Sequence, residues 1–302
     1  MILDRAHEWL RPLDVARALS NPGALLALRV LGGKHELQFR NGFRIELDRG
    51  EWSLAKRLVQ LAFYGAEFAS AQSSGLPTWR IEKQSGRIIT PDGLLFDLDH
   101  FDPFITAETF VYDIHFCGFE LQGLQIVDAG AFQGETALYF ARRGAEVFAF
   151  EPDPANYAVL EQNLRLNPAL SHLIHPERVA IGPDGMVDFH GGLGGASGVF
   201  ASGGPMLRVQ SKSLDTILRE KKLDHPYLLK ADCKGTEFDL VQQGAIGRFQ
   251  RLSIEYSADL RHRNAEELAK ALRERGFGHL SVYKHHWGFF PLSEHGMIRA
   301  ER

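Results

Sequence analysis

From about Leu121 onward the chain settles into one repeated pattern, a short apolar run followed by an amphipathic segment. "QIVDA" leads into "ETALYFARRG" and "EVFAFE" into "PANYAVLEQNLRLN". Later "PYLLKAD" leads into "TEFDLVQQGA", "RLSIEY" into "AEELAKALRERG", and "HLSVYK" follows. Short apolar runs of this kind read as strands buried on both faces, and the segments between them have helical spacing. Their alternation implies an α/β fold, a mostly parallel sheet with helices on both faces. Ligands of such sheets bind beyond the carboxyl ends of the strands, at a topological switch point. The residues just after each strand are therefore the candidates for chemistry.

The first ~120 residues have a different texture, and we take 1–120 as an N-terminal α+β extension and 121–302 as the α/β domain. "EWSLAKRLVQLAFYGAEFA" places Leu54, Leu58, Leu61 and Ala62 at helical spacing. "TWRIEKQSGRIITPDGLLFDL" reads as short strands broken at Ser85-Gly86 and Asp92-Gly93. "FITAETFVYDIHF" returns to a helix with Phe110, Val111 and Ile114 on one face. On that helix Tyr112 and His115, three apart, share a side.

Composition narrows the function classes. The formal net charge is −4 over 302 residues, which argues against non-specific nucleic-acid binding. Only two cysteines are present, Cys117 and Cys233, too few for a disulfide framework. No window approaches 18 uncharged apolar residues, so no membrane span is expected, and the N-terminus lacks a signal-peptide core. A cytoplasmic protein is the simplest expectation. One tract stands out: Gly191 to Pro205 carries seven glycines and can be neither a stable strand nor a stable helix. It reads as a mobile linker or as a lid over a pocket.

The first strand ends in "IVDAGAFQGETALYFA". Gly130 and Gly134 bracket the turn into the helix, and the helix N-terminus offers free N–H groups to an anionic group. A dinucleotide site would need a middle glycine, and Phe132 stands there. A P-loop would need Gly-Lys-Ser/Thr, which is absent. A ligand with an amino-acid end and a nucleoside end fits better: Asp128 for its ammonium, loop N–H groups for its carboxylate. S-adenosylmethionine (SAM) is such a ligand; a purely structural turn is the bland alternative.

The second strand, "EVFAFEPDP", ends at Glu151, 21 residues after Gly130. An acid at about that distance commonly accepts the two ribose hydroxyls of a nucleoside. Asp153-Pro154 looks instead like an N-cap with proline at the first helical position.

With these motifs in order, the chain resembles the FkbM family of SAM-dependent methyltransferases. The matching segments are "IVDAGAFQGETALYFARRGAEVFAFEPDPANYAVLEQNLRLN", "VAIGPDG", "SKSLDTI", "YLLKADCKGTEFDLVQQGA" and "SIEYS". They run from about Ile126 to Ser257, and the N-terminal stretch looks similar to archaeal members. The resemblance implies a Rossmann-like class I methyltransferase sheet of seven strands, the last antiparallel. It implies a SAM pocket lined by Asp128, Gly130, Phe132, Gly134, Glu151 and Pro152, with Val179 and Ala180 near the adenine. It implies O-methylation of a hydroxyl on a small molecule, sugar or lipid.

A hydroxyl acceptor benefits from a base, typically about 10²–10⁴-fold. Asp232 and Glu255, at the ends of the fourth and fifth strands, are the candidates, Asp232 also for the sulfonium side of the cofactor. Lys230 shares a face with Asp232 on a regular strand and is expected to pair with it. Glu237 reads as a first-turn helix acid. The family pattern is Asp-x-Glu-Gly-x-Glu, and this chain has Lys234 in place of the first glutamate. Lys234 either attracts an anionic acceptor, faces solvent, or marks lost catalysis in a SAM-binding module. No metal-ligand spacing is convincing, and His285 and His286 on a strand would point to opposite faces. A NAD-dependent oxidoreductase is the other enzyme reading, and Phe132 speaks against it.

Overall fold

The computed structural model describes residues 12–70, 77–115, 121–257, 260, 263–284 and 295–302. Cys117, His285 and His286 lie outside them. The chain divides into two compact units, Met1–Ile114 and His115–Arg302.

The first unit is α+β. Helices Pro12–Ala18 and Pro22–Val30 precede a hairpin of Lys34–Gln38 with Arg44–Asp48. Helix Trp52–Phe63 buries Leu54, Leu58 and Leu61, as their spacing requires. Strands Arg80–Glu82, Arg87–Ile89 and Leu95–Asp97 form an antiparallel sheet, with the expected breaks at Gly86 and Gly93. The last helix runs only from Pro103 to Phe110, capped by Asp102, whose Oδ1 accepts from the N–H groups of Phe104 and Ile105. The longer helix expected from sequence is not formed: Asp113 has φ +49°. Tyr112 and His115 therefore share no helical face. Tyr112 is exposed and His115 is buried.

The second unit is built on a seven-stranded sheet. Its strands are β1 (Gln125–Ala129), β2 (Glu146–Phe150), β3 (Ile174–Glu177), β4 (Leu228–Ala231), β5 (Arg251–Ser257), β6 (His279–Lys284) and β7 (His295–Glu301). Their spatial order is 3-2-1-4-5-7-6. β7 runs antiparallel to both β5 and β6, while β3, β2, β1, β4 and β5 are mutually parallel. This is the Rossmann-like class I methyltransferase sheet. The connecting helices are α1 (Glu135–Arg142), α2 (Pro154–Leu166), α3 (Leu214–Glu220), α4 (Glu237–Leu240) and α5 (Ala265–Glu274). Val127, Phe148, Leu229, Leu252 and Ile254 from the central strands share one buried core with Leu218 of α3 and Leu268 of α5.

The run "TEFDLVQQGA" makes only four residues of α-helix before passing through turns into a 3₁₀ segment, Gly244–Arg248. Between β3 and β4 lies an addition the sequence reading did not resolve. Gly185–His190 and Met206–Lys212 form an antiparallel hairpin that also pairs with Ala180–Ile181. The glycine-rich segment is the connection at its tip.

The parallel register sets the site. Lys230 of β4 lies opposite Asp128 of β1, and Ala231 lies opposite both Ala129 of β1 and Ile254 of β5. One step further on, Asp232 leaves β4 at the level of Glu255, which still lies within β5 and is paired with Met297 of β7. No helix among the described residues is long and apolar enough to cross a membrane.

Candidate functional site

The loop after β1 crosses directly over β4. Gly130 has φ +75°, and a Cβ on it would lie 2.1 Å from the backbone oxygen of Asp232. No other residue fits there without moving the backbone of the β4 end. Gly134 has φ +89°, and a Cβ would meet Leu160 of α2 at 3.2 Å. The spacing of these glycines is thus fully required by the packing of loop, strand and helix.

Beneath the loop is a buried ion pair. Lys230 Nζ lies 3.1 Å from Asp128 Oδ1 and donates to the Gly130 carbonyl at 2.6 Å. Thr136 Oγ1, on α1, donates to Asp128 Oδ2 at 2.6 Å. The expected pairing of Lys230 with Asp232 is replaced by this one, because register sets Asp128 opposite Lys230 on the same face. Burial would lower the Lys230 pKa, but Asp128, with Asp232 further off, more than reverses it, and the ammonium is held above its ordinary value. Both Asp128 oxygens face these internal partners, and the residue is fully buried.

Glu151 follows β2. Its Oε2 accepts from Phe132 N–H and its Oε1 from Asp153 N–H, each at 2.9 Å, with Asn156 Nδ2 at 3.5 Å. Phe132 itself is left-handed, φ +50°, which aims its N–H at the carboxylate. Burial pushes the Glu151 pKa up to about 8, despite the backbone N–H donors that oppose the rise.

Asp153 does more than cap. Its Oδ1 accepts from Ala155 N–H at 2.9 Å, the N-cap bond read from sequence. Its Oδ2 accepts from Gly192 N–H at 2.7 Å and Ser197 Oγ at 2.9 Å. The glycine segment is therefore tied to the end of β2, not free. It also closes on itself through paired bonds between His190 and Gly198.

At the β4 end, Lys234 has φ +46°, a conformation costing a non-glycine residue about 1–3 kcal/mol. Glu237 holds the turn: its Oε1 accepts from Cys233 N–H and its Oε2 from Gly235 N–H, both at 2.7 Å. Its role is thus to fold back on the strand end as well as to sit in a first helical turn. Burial, with Asp232 adding to it, raises the Glu237 pKa to about 7. Burial and the nearby carboxylates also push the half-buried Cys233 thiol well up. The Lys234 ammonium lies 2.7 Å from Asp232 Oδ1 and 3.4 Å from Glu255 Oε1. It neither faces solvent nor stands free for an anionic ligand, as the sequence left open.

A small, partly open pocket lies among these elements. Of the residues anticipated from sequence, Gly130, Glu151, Pro152, Ala180 and Asp232 line it. Asp128, Phe132, Gly134, Val179, Lys230 and Glu255 stand outside that lining. Asp128, Phe132 and Lys230 act on it through hydrogen bonds and charge. Sequence reasoning missed Phe150, Ile181, Phe189, Ser197, Val199, Cys233 and Thr236, which also line the pocket. The only signal for Phe189, Ser197 and Val199 was their place in and beside the glycine tract. Among the described residues no group of three or more His, Cys, Asp or Glu is placed to hold a metal ion.

The wall combines a preorganised carboxylate with acceptor capacity to spare, apolar sides from Ala180, Ile181, Phe189 and Val199, and a second carboxylate at Asp232. That combination of acceptors and apolar walls fits a ligand with a diol, a flat base and a positive centre. Together with the strand order 3-2-1-4-5-7-6, it is the arrangement of the class I SAM-dependent methyltransferases. The sequence model of the FkbM methyltransferase domain matches residues 128–278, half of the chain, and the chain belongs to that family.

Similar solved structures include a methyltransferase FkbM from Methylobacillus flagellatus KT, 19% identical, covering 62% of this chain and 45% of that one, with a TM-score of 0.43. Another is a precorrin-6y C5,15-methyltransferase from Geobacter metallireducens GS-15, 13% identical over 67% of this chain and 89% of that one, TM-score 0.40. A third is the T. thermophilus 16S rRNA N2 G1207 methyltransferase in complex with AdoMet and guanosine, 20% identical over 67% and 44%, TM-score 0.38. No curated protein sequence matches the chain.

Two outcomes follow from the site's electrostatics. Lys230→Met leaves Asp128 buried without its counter-charge and should cost about 3–5 kcal/mol, read by urea unfolding. Glu151 and Glu237 keep protons in the folded state up to about 8 and about 7, against an ordinary 4.5. Their contribution to stability is complete below pH 4.5 and is lost as pH rises through 7 to 8. Thermal unfolding between pH 5 and 9 should show that decline, and Glu151→Gln should flatten it.

Proposed function

We propose that this protein transfers the methyl group of SAM to a neutral hydroxyl of a small-molecule, sugar or lipid acceptor. The observation that carries the reading is Glu151, fixed by the N–H groups of Phe132 and Asp153 on the wall of the pocket. Its remaining acceptor sites suit the two ribose hydroxyls. Pro152, Ala180, Ile181 and Phe189 would flank the base, and Gly130 gives the ligand an approach without a side chain. Asp232 would face the positive centre. Asp128, Lys230, Phe132, Gly134 and Val179 are assigned to holding this wall in place.

SAM, when bound, supplies the electrophilic methyl group. The chain aligns the acceptor with it and excludes water, an effect worth roughly 7–11 kcal/mol where alignment is complete. A carboxylate, Asp232 just past β4 or Glu255 in β5, would take the acceptor's proton. The charge of Lys234 is met by these two acids, so it offers nothing to an anionic acceptor, and this favours a neutral one. We extend the proposal to the N-terminal unit as the part that selects the acceptor, on the sequence division alone.

One observation favours a second reading, a SAM-binding module without catalysis: the ammonium of Lys234 sits on both candidate bases. Incubation with methyl-labelled SAM and cognate cell extract separates the two. A labelled product that is uncharged at neutral pH supports the first reading. SAM binding with no labelled product supports the second.

Glu151→Ala should weaken SAM binding roughly 10–100-fold, because hydrogen bonds to a charged group contribute about 1.5–3 kcal/mol. Diol donors favour the ionised carboxylate, so SAM binding to the wild type near pH 7 should release up to about one proton. Calorimetry in buffers of different ionisation enthalpy reads both. Unchanged affinity in the variant would refute the assignment of Glu151.

A further inference from the structure

Lys234 is held from three sides. Glu237 accepts from the N–H groups on either side of it, those of Cys233 and Gly235. Across from it, Gly198 of the glycine segment comes so close that a Cβ there would lie 3.0 Å from Lys234 Cβ. With its backbone fixed at φ +46° and one flank blocked, the side chain runs toward the strand ends. Its ammonium stands 2.7 Å from Asp232 and 3.4 Å from Glu255. The parallel register brings those two carboxylates out level on adjacent strands. Both side chains are largely withdrawn from water, Asp232 at 21% exposure and Glu255 at 10%.

Two acids so placed repel, and in the absence of a positive charge one of them retains its proton. We propose that Lys234 is a resident counter-ion, a positioning residue that bridges Asp232 and Glu255 and keeps Asp232 ionised beside the pocket across the neutral range. The bearing of this on catalysis rests on the methyltransferase reading; the electrostatics do not.

Several charged neighbours bear on the balance. Lys234 faces Asp232, Glu255 and Glu237; Asp232 also feels Lys230 of β4 and His115 before β1. Burial alone would raise Asp232, but Lys234 first and Lys230 second reverse it, and the carboxyl is held below its ordinary value. Burial would likewise lower Lys234, yet Asp232 and Glu255 hold its ammonium well above the ordinary value. Lys234 is thus a permanent charge at neutral pH and not itself a base.

The test is a carboxyl titration of the full chain without cofactor. Protein labelled with ¹³C at Asp and Glu carboxyls is followed by NMR from pH 3 to 9, with Asp232→Asn and Glu255→Gln assigning the two signals. Lys234→Arg should leave the Asp232 midpoint nearly in place. Lys234→Met should raise the Asp232 midpoint by a unit or more, and Lys234→Gln, a polar alternative should Met fold poorly, should do the same. An unchanged Asp232 midpoint in a neutral variant that retains its circular dichroism would overturn the proposal.

Label transfer from methyl-labelled SAM into extract adds a separate readout. In Lys234→Met the acid limb of the rate profile should move up by a unit or more. A shifted Asp232 midpoint with no transfer even by the wild type would support the counter-ion and count against the methyltransferase reading.

Discussion

The site depends on one contact, the passage of Gly130 over the carbonyl of Asp232. Loop and strand end can meet at that distance only because nothing projects from Gly130. Their approach is held by Lys230, whose ammonium is shared between Asp128 below and the Gly130 carbonyl above. A buried ion pair gains little net stability, since removing two charges from water offsets most of their attraction. Its value here is geometric. A charged donor fixed by register on one strand and an acid fixed on the next leave the loop a single seat. The wall presented to a ligand, with Glu151 bonded to Phe132 N–H, follows from where that loop is seated.

Much of this architecture was legible in the sequence, and the failures have physical causes. Strand–helix alternation gave the sheet, since buried parallel strands and amphipathic helices write different periods. The glycine spacing and the acid after "EVFAF" located the pocket. The cap role of Asp153 was local and readable; its grip on Gly192 and Ser197 spans some forty positions and was not. The partner of Lys230 was misread because same-strand spacing suggested Asp232, while inter-strand register supplied Asp128. Helix "FITAETFVYDIHF" was read too long because a run of apolar residues has no means of announcing the left-handed turn at Asp113.

The glycine segment illustrates how composition can mislead about order. Seven glycines suggest mobility, since each has much conformational freedom to lose. Here the freedom is used to let the segment double back, with Gly192 N–H and Ser197 Oγ anchored on one carboxylate oxygen and Gly198 pressed against Lys234. The same anchor, Asp153, donates its N–H to Glu151. A ligand that engages Glu151 therefore acts on the residue that holds the segment, so pocket and segment are joined by one short chain of hydrogen bonds.

The charges around the pocket are arranged crosswise. Each of the two lysines in "LLKADCKG" is paired with an acid of a different strand: Lys230 with Asp128 of β1, and Lys234 with Glu255 of β5 as well as Asp232. Lys230 and Asp128 balance. Lys234 against Asp232 and Glu255 leaves one formal negative charge over, at the wall that Asp232 itself lines. A surplus of this sign suits a ligand with a positive centre and discourages an anionic co-substrate. A glutamate at position 234 would instead bring a third acid to Asp232 and Glu255, which only protons or an added cation could balance. The lysine resolves that conflict within the chain, which is why it reaches inward to the acids and not out to solvent.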